Sequence, residues 1–268
     1  MSRPATDTNV LDAIVVRTRQ HVAAERIRRP LDELQEAARS ATGPRPFAAA
    51  LARAGRVNVI AEHKRRSPSR GAIRMDLAPA EVARGYERAG AAAISVLTDE
   101  PFFGGRLEHL VEARAATRLP VLRKDFVVDP WQVWETRAAG ADAVLLIVAV
   151  LGDDELSQLL TLAAEVGLDA LVEVHDRDEL DRALGAGSRV VGVNNRNLKT
   201  MEVSLATAFS LCPAIPDGVV RVAESGIRTG EDVRRLREAG FDAFLIGERL
   251  MSDPDPGHAL LSLIEESA

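Results

Sequence analysis

The stretch Glu87-Arg88-Ala89-Gly90-Ala91-Ala92-Ala93-Ile94-Ser95-Val96 nearly recurs twice. It returns as Arg137-Ala138-Ala139-Gly140-Ala141-Asp142-Ala143-Val144-Leu145-Leu146 and as Arg237-Glu238-Ala239-Gly240-Phe241-Asp242-Ala243-Phe244-Leu245-Ile246. Each copy reads as a helix end, a glycine suited to the left-handed residue that closes a helix, and a short apolar strand. Looser copies surround Gly167 and Gly187. Helix, glycine and buried strand in alternation are the pattern of βα units around a parallel sheet.

Eight strands are predicted near 57–61, 92–97, 120–124, 143–147, 170–174, 189–193, 219–223 and 243–246. Amphipathic helices fill the gaps, with start signals at Asp129-Pro130 and in Thr229-Gly230-Glu231-Asp232, which resembles a capping box. Eight such units closed on themselves make a (β/α)8 TIM barrel, and an open doubly wound sheet is the competing arrangement. Residues 1–56 form a helical extension, with helices at 9–25, 31–40 and 46–54, placed to cap the barrel bottom or flank its mouth. The barrel takes 57–268, and with no Gly/Ser-rich linker the whole chain reads as one domain.

Composition narrows the function classes. Hydrophobic residues make up 46% of the chain, enough for a core of this size. With 40 acidic against 34 basic residues there is no basic field for nucleic acid. The first twenty residues carry charge throughout, and the longest uncharged apolar run, 143–151, is about half the length of a membrane span. Cys212 is the only cysteine and reads as a packed thiol near a helix end in a reducing compartment. No histidine pair has metal-ligand spacing. A cytoplasmic protein without metal, membrane or nucleic-acid partner is expected.

Chemistry in barrels collects at the C-terminal ends of the strands. Side chains alternate faces along a strand, so Glu62 and Lys64 share one face and His63 and Arg65 the other. If Leu122 and Leu171 point inward, so do Lys124 and Glu173, while Arg123 faces the helices. The inward set is then Glu62, Lys64, Lys124, Glu173, Asn194 and Glu224. Buried charges need partners, so two lysines facing three glutamates suggest tuned acids and bases. A network that merely closes the barrel top is the bland alternative. Ser225-Gly226 and Gly247, just past the last two strands, let backbone N–H groups approach an anion, and barrels commonly bind phosphate there. His175 continues the parity of Glu173 but reads as a loop histidine without a catalytic part.

At this point the residues resemble the indole-3-glycerol phosphate synthase family over essentially the whole chain. The resemblance rests on Ala61-Glu62-His63-Lys64-Arg65-Arg66-Ser67-Pro68-Ser69, Ala93-Ile94-Ser95-Val96-Leu97-Thr98-Asp99 with Phe102-Phe103-Gly104-Gly105, and Leu122-Arg123-Lys124-Asp125-Phe126. Four further pieces follow in order: Leu171-Val172-Glu173-Val174, Gly192-Val193-Asn194-Asn195-Arg196-Asn197-Leu198, Val222-Ala223-Glu224-Ser225-Gly226-Ile227 and Leu245-Ile246-Gly247. The departures are His63, Arg66, Arg106 and Glu248-Arg249.

The resemblance implies a phosphorylated small-molecule substrate, 1-(2-carboxyphenylamino)-1-deoxyribulose 5-phosphate, no cofactor, and a monomer. It implies Lys124 as the acid of ring closure, Glu173 in the later dehydration, and Glu62 as its partner or electrostatic stabiliser. Lys64 pairs with the substrate carboxylate or phosphate and shares the acid role. Substrate contacts are implied at Ser67, Pro68, Asn194, Arg196 and Glu224, with apolar walls from Phe103, Leu145 and Leu245. Phosphate contacts are implied at Lys64, Ser225, Gly226, Gly247 and Glu248. A carboxylate beside a phosphate repels it, so the Glu248 side chain is expected to point outward. Another phosphate-binding barrel enzyme, such as a sugar-phosphate isomerase, and a silent phosphate-ligand barrel are the remaining alternatives.

Overall fold

Strands covered by helices need apolar side chains on both faces, and Ala143-Val144-Leu145-Leu146-Ile147 supplies them without interruption. The computed structural model describes residues 10–198 and 200–267. Its strands are β1 (Asn58–His63), β2 (Arg66–Ser67), β3 (Gly71–Ala72), β4 (Ala93–Leu97), β5 (Val121–Lys124), β6 (Ala143–Ile147), β7 (Asp169–Val174), β8 (Val190–Asn194), β9 (Val220–Glu224) and β10 (Ala243–Ile246). Eight of them close into a barrel in the order β1-β10-β9-β8-β7-β6-β5-β4, every pair parallel. The closed ring excludes the open sheet. The hairpin of β2 and β3, antiparallel and outside the barrel, was not foreseen.

The glycine repeat behaves as its sequence implies. Gly90, Gly140, Gly167, Gly187 and Gly240 all take φ between 81° and 107°, where a side chain would be strained. The aspartate that follows two of them stitches the barrel bottom. Asp142 accepts the backbone N–H of Val121 at 2.7 Å and Asp242 that of Arg221 at 2.8 Å. Both cap signals are realised: Asp129 accepts from the N–H of Trp131, and Thr229 forms a reciprocal box with Asp232.

Parity divides the apolar side chains into two cores. Ile60, Leu122, Leu145, Leu171, Val222 and Leu245 pack inside the barrel. Val59, Ile94, Val144, Val172, Val191 and Phe244 pack outward against the helices.

The extension does both jobs open to it. The helix Val10–Arg28 sends Leu11 and Ile14 into the interior cluster beside Phe126, flanking the mouth. The helix Phe47–Leu51 packs Phe47 and Leu51 under the same cluster, and its Ala48 N–H donates to Asp169 at the foot of β7. The expected first helix begins at Asn9, which lies outside the described residues.

Candidate active site

Every strand-end residue of the expected inward set reaches the mouth, where a cavity of about 860 Å3 opens. Glu62, Lys64, Lys124, Glu173, Asn194 and Glu224 all line it. The charges fall into two groups rather than one. Lys64 Nζ lies 2.8 Å from Glu62 Oε1. Lys124 Nζ donates to Glu173 Oε2 at 2.9 Å and to Glu224 Oε2 at 3.0 Å. Glu173 and Glu224 are only 2% and 1% exposed, so the ammonium between them is what permits their charge.

The electrostatics follow. Burial favours the neutral amine of Lys124, but Glu173, Glu224 and Glu62 outweigh it and raise its pKa above the ordinary lysine value. Burial opposes ionisation of Glu173 as well. Lys124, His175 and Asn194 overcome that, and its pKa falls below the usual carboxylate range. Glu224 has the same lysine but fewer other partners. Burial, with Glu173 beside it, pushes its pKa up to about 7 against the pull of Lys124. Its Oε1 is buried without a hydrogen-bond partner.

Glycines make room for these carboxylates. A Cβ on Gly192 would stand 2.0 Å from Glu224 Oε1, so the β8 position facing β9 must stay bare. Asn194 Oδ1 accepts the N–H of Arg196 at 3.0 Å, which turns its amide nitrogen toward Glu173.

The expected phosphate contacts lie just past β9 and β10. Ser225 has φ 64°, a left-handed conformation uncommon for a residue with a side chain, and Gly226 follows at 79°. Both line the cavity with Gly247 and Glu248. Leu145, Leu245 and Phe103 wall it as expected, although the two leucines also belong to the interior core. Ser67 and Pro68 do not line the main cavity. They edge an adjoining recess of about 90 Å3, because the β2–β3 turn carries Ser69 and Arg70, not Ser67, over the mouth.

Glu248 departs from expectation. Its carboxylate does not leave the mouth: it pairs with Arg70 at 3.1 Å and lies 3.9 Å from Arg196. Two cations offset the repulsion that would have turned it outward. His175 keeps the parity of Glu173: its ring stands against that carboxylate, with Nε2 at 3.4 Å from Oε1. His63, where an apolar residue is usual, faces the helices and packs edge-on to His109 at 5.9 Å. Burial, His109 and Arg65 hold its pKa down to about 4, so the ring is neutral and packs as a hydrophobe.

Sequence reasoning passed over Phe126, which lines the cavity 6.3 Å from Phe103. Its signal was its place in the Lys-Asp-Phe run, two residues beyond the end of β5. Ile147 and Leu198 were missed because nothing local marks them as wall rather than core. Among the described residues no group of histidine, cysteine and carboxylate side chains could hold a metal ion.

Comparison with known proteins bears on what these groups do. Solved structures of similar fold include thiamine phosphate pyrophosphorylase from Pyrococcus furiosus, with a TM-score of 0.61 at 18% identity over 83% of this chain and 98% of that one. A mandelate oxidase matches with a TM-score of 0.60, also at 18% identity, over 87% and 92%. At that identity they speak for the barrel alone. The sequence comparisons go further. A protein of Laribacter hongkongensis named indole-3-glycerol phosphate synthase is 50% identical over 96% of this chain and 99% of its own length. One of Albidiferax ferrireducens with the same name is 49% identical over 96% and 98%. The family model described as Indole-3-glycerol phosphate synthase matches residues 11–263, a span that holds every strand of the barrel and every side chain of its mouth, and the chain belongs to that family.

Proposed function

We propose that the mouth converts 1-(2-carboxyphenylamino)-1-deoxyribulose 5-phosphate into indole-3-glycerol phosphate, CO2 and water, the family's step in tryptophan biosynthesis. The observation that carries the reading is Lys124, held between Glu173 and Glu224 at the floor of the cavity.

The ring carbon bearing the carboxylate attacks the ribulose carbonyl, and charge develops on the carbonyl oxygen. Lys124, kept cationic by its carboxylates, donates a proton to that oxygen. Loss of CO2 restores the aromatic ring and leaves a carbinol. The carbinol oxygen then departs as water while the neighbouring ring carbon gives up a proton. Glu173 takes part in that transfer, supported by Glu62. Glu224 helps to position Lys124, its Oε2 accepting from Lys124 Nζ at 3.0 Å. Lys64, 16% exposed at the rim, meets the substrate carboxylate or phosphate.

Ser225, Gly226, Gly247 and the N–H of Glu248 receive the phosphate, with Arg196 at the edge. Phe103, Leu145 and Leu245 enclose the aromatic ring, and Ser67 and Pro68 support the turn beside it. We take the chain to act as a monomer, as the family resemblance implies. Among the described residues no helix is long and apolar enough to cross a membrane. Incubation with substrate and detection of indole-glycerol phosphate fluorescence tests the reading. A chain that binds the substrate but forms no indole would be a silent barrel instead.

A further inference from the structure

The segment Glu173-Val174-His175-Asp176-Arg177-Asp178-Glu179 leaves the floor of the site and starts the next helix. β7 ends at Val174, and Asp176 caps the helix Arg177–Gly185 by accepting the N–H of Glu179 at 2.9 Å. Glu179 thereby sits in the first turn, where a glutamate often reaches back over its own cap. Here it reaches one residue further. Its Oε2 accepts the backbone N–H of His175 at 2.8 Å and lies 2.9 Å from the ring Nδ1. The other ring nitrogen, Nε2, is buried without a hydrogen-bond partner and lies within ion-pair distance of Glu173 Oε1, at 3.4 Å. Glu173 therefore has Lys124 hydrogen-bonded to one oxygen and the His175 ring at ion-pair distance from the other.

A carboxylate near each ring nitrogen favours the doubly protonated imidazole, because the neutral ring has only one N–H to offer. Burial works against that charge, but Glu173 and Glu179 push the His175 pKa up to about 10. The charged groups facing the ring are these two glutamates. Around Glu173 stand Lys124 from β5, Asn194 from β8 and Glu224 from β9. Once Lys124 gives its proton away, His175 is the cation left against Glu173 among the described residues, with Asn194 as its neutral partner.

We propose that His175, oriented by Glu179, is a positioning residue of the reaction: it fixes the Glu173 carboxylate and keeps it anionic while Lys124 is discharged. This rests on the reaction proposed above. His175 need not touch substrate, and it acts through Glu173 in the way that a carboxylate-bound histidine sets the orientation of its neighbour.

The test compares wild type, His175→Asn, Glu179→Gln and the double variant by indole fluorescence, with circular dichroism to follow the fold. Turnover in His175→Asn should fall about 10-fold with little change in KM, the scale on which outer partners of a reacting group act. The acid limb of its pH–rate profile should rise by about one unit, as expected when a carboxylate loses a nearby cation. Glu179→Gln should shift both quantities the same way by less. The double variant should match His175→Asn alone, because the two act in series. Turnover and acid limb unchanged in His175→Asn, or additive effects of the two substitutions, would overturn the inference. If His175→Asn does not fold, imidazole NMR of wild type and Glu179→Gln decides: a His175 titration that Glu179→Gln leaves unmoved would overturn it too. A wild-type chain without turnover overturns the functional reading and this inference together.

Discussion

Gly247 and Glu62 meet across the seam between β10 and β1, and a Cβ on Gly247 would fall 2.2 Å from Glu62 Oε1. The glycine proposed to admit an anion to the backbone also seats the carboxylate paired with Lys64. Its φ is −124°, so the absent side chain, not backbone conformation, is what the position demands.

Gly247→Ala should therefore do more than weaken phosphate binding. Displacing Glu62 by even an ångström disturbs Lys64, and misplacement on that scale costs up to about 10²-fold in rate. Both a raised KM and a lowered kcat are expected. Ser225→Ala removes only a hydroxyl and should raise KM with a smaller change in kcat. Steady-state kinetics of the two variants separates the cases, and an unchanged KM in Ser225→Ala would place the phosphate elsewhere.

Lys124→Ala should lower turnover by about 10²–10⁴-fold, the range typical of a general acid, with the fold intact. Lys124→Arg should not restore it, since a guanidinium holds its proton at any working pH. Turnover within a few-fold of wild type in Lys124→Ala would remove the lysine from the mechanism.

Glu173→Gln keeps shape and hydrogen-bonding atoms but cannot exchange a proton. Substrate should still bind and disappear, while indole formation lags or stalls, with turnover down about 10²-fold or more. The loss of negative charge beside Lys124 should also lower that lysine's pKa and shift the pH–rate profile. Single-turnover traces of substrate and indole fluorescence show the lag. Binding and chemistry lost together would make Glu173 a counter-charge only.

Glu224 should leave its mark on stability. Its carboxyl is raised from 4.5 to about 7, so the folded chain binds a proton there that the unfolded chain has released. Stability should consequently fall as pH rises through that window. Glu173 acts oppositely: its depressed pKa gives a contribution present above 4.5 and lost as pH falls. Urea midpoints of wild type and Glu224→Gln across the window should show a flatter slope in the variant. Equal slopes would contradict the assignment.

The sequence by itself determined the barrel and the inward set. Helix, glycine and strand recur locally, and alternation along a strand is fixed by the backbone, so Leu122 inward puts Lys124 inward whatever lies opposite. Residue numbers alone do not say which charges meet. Lys124 finds Glu173 and Glu224, 49 and 100 positions away, only because the closed sheet sets β5, β7 and β9 around one floor. Arg70 turns Glu248 inward from 178 positions away, and Glu179 turns His175 toward Glu173 through a helix cap. Strand parity is a property of the local chain. Pairing in a dry mouth is decided by whatever opposite charge the closure brings within about 4 Å, where low dielectric makes it outweigh local preference.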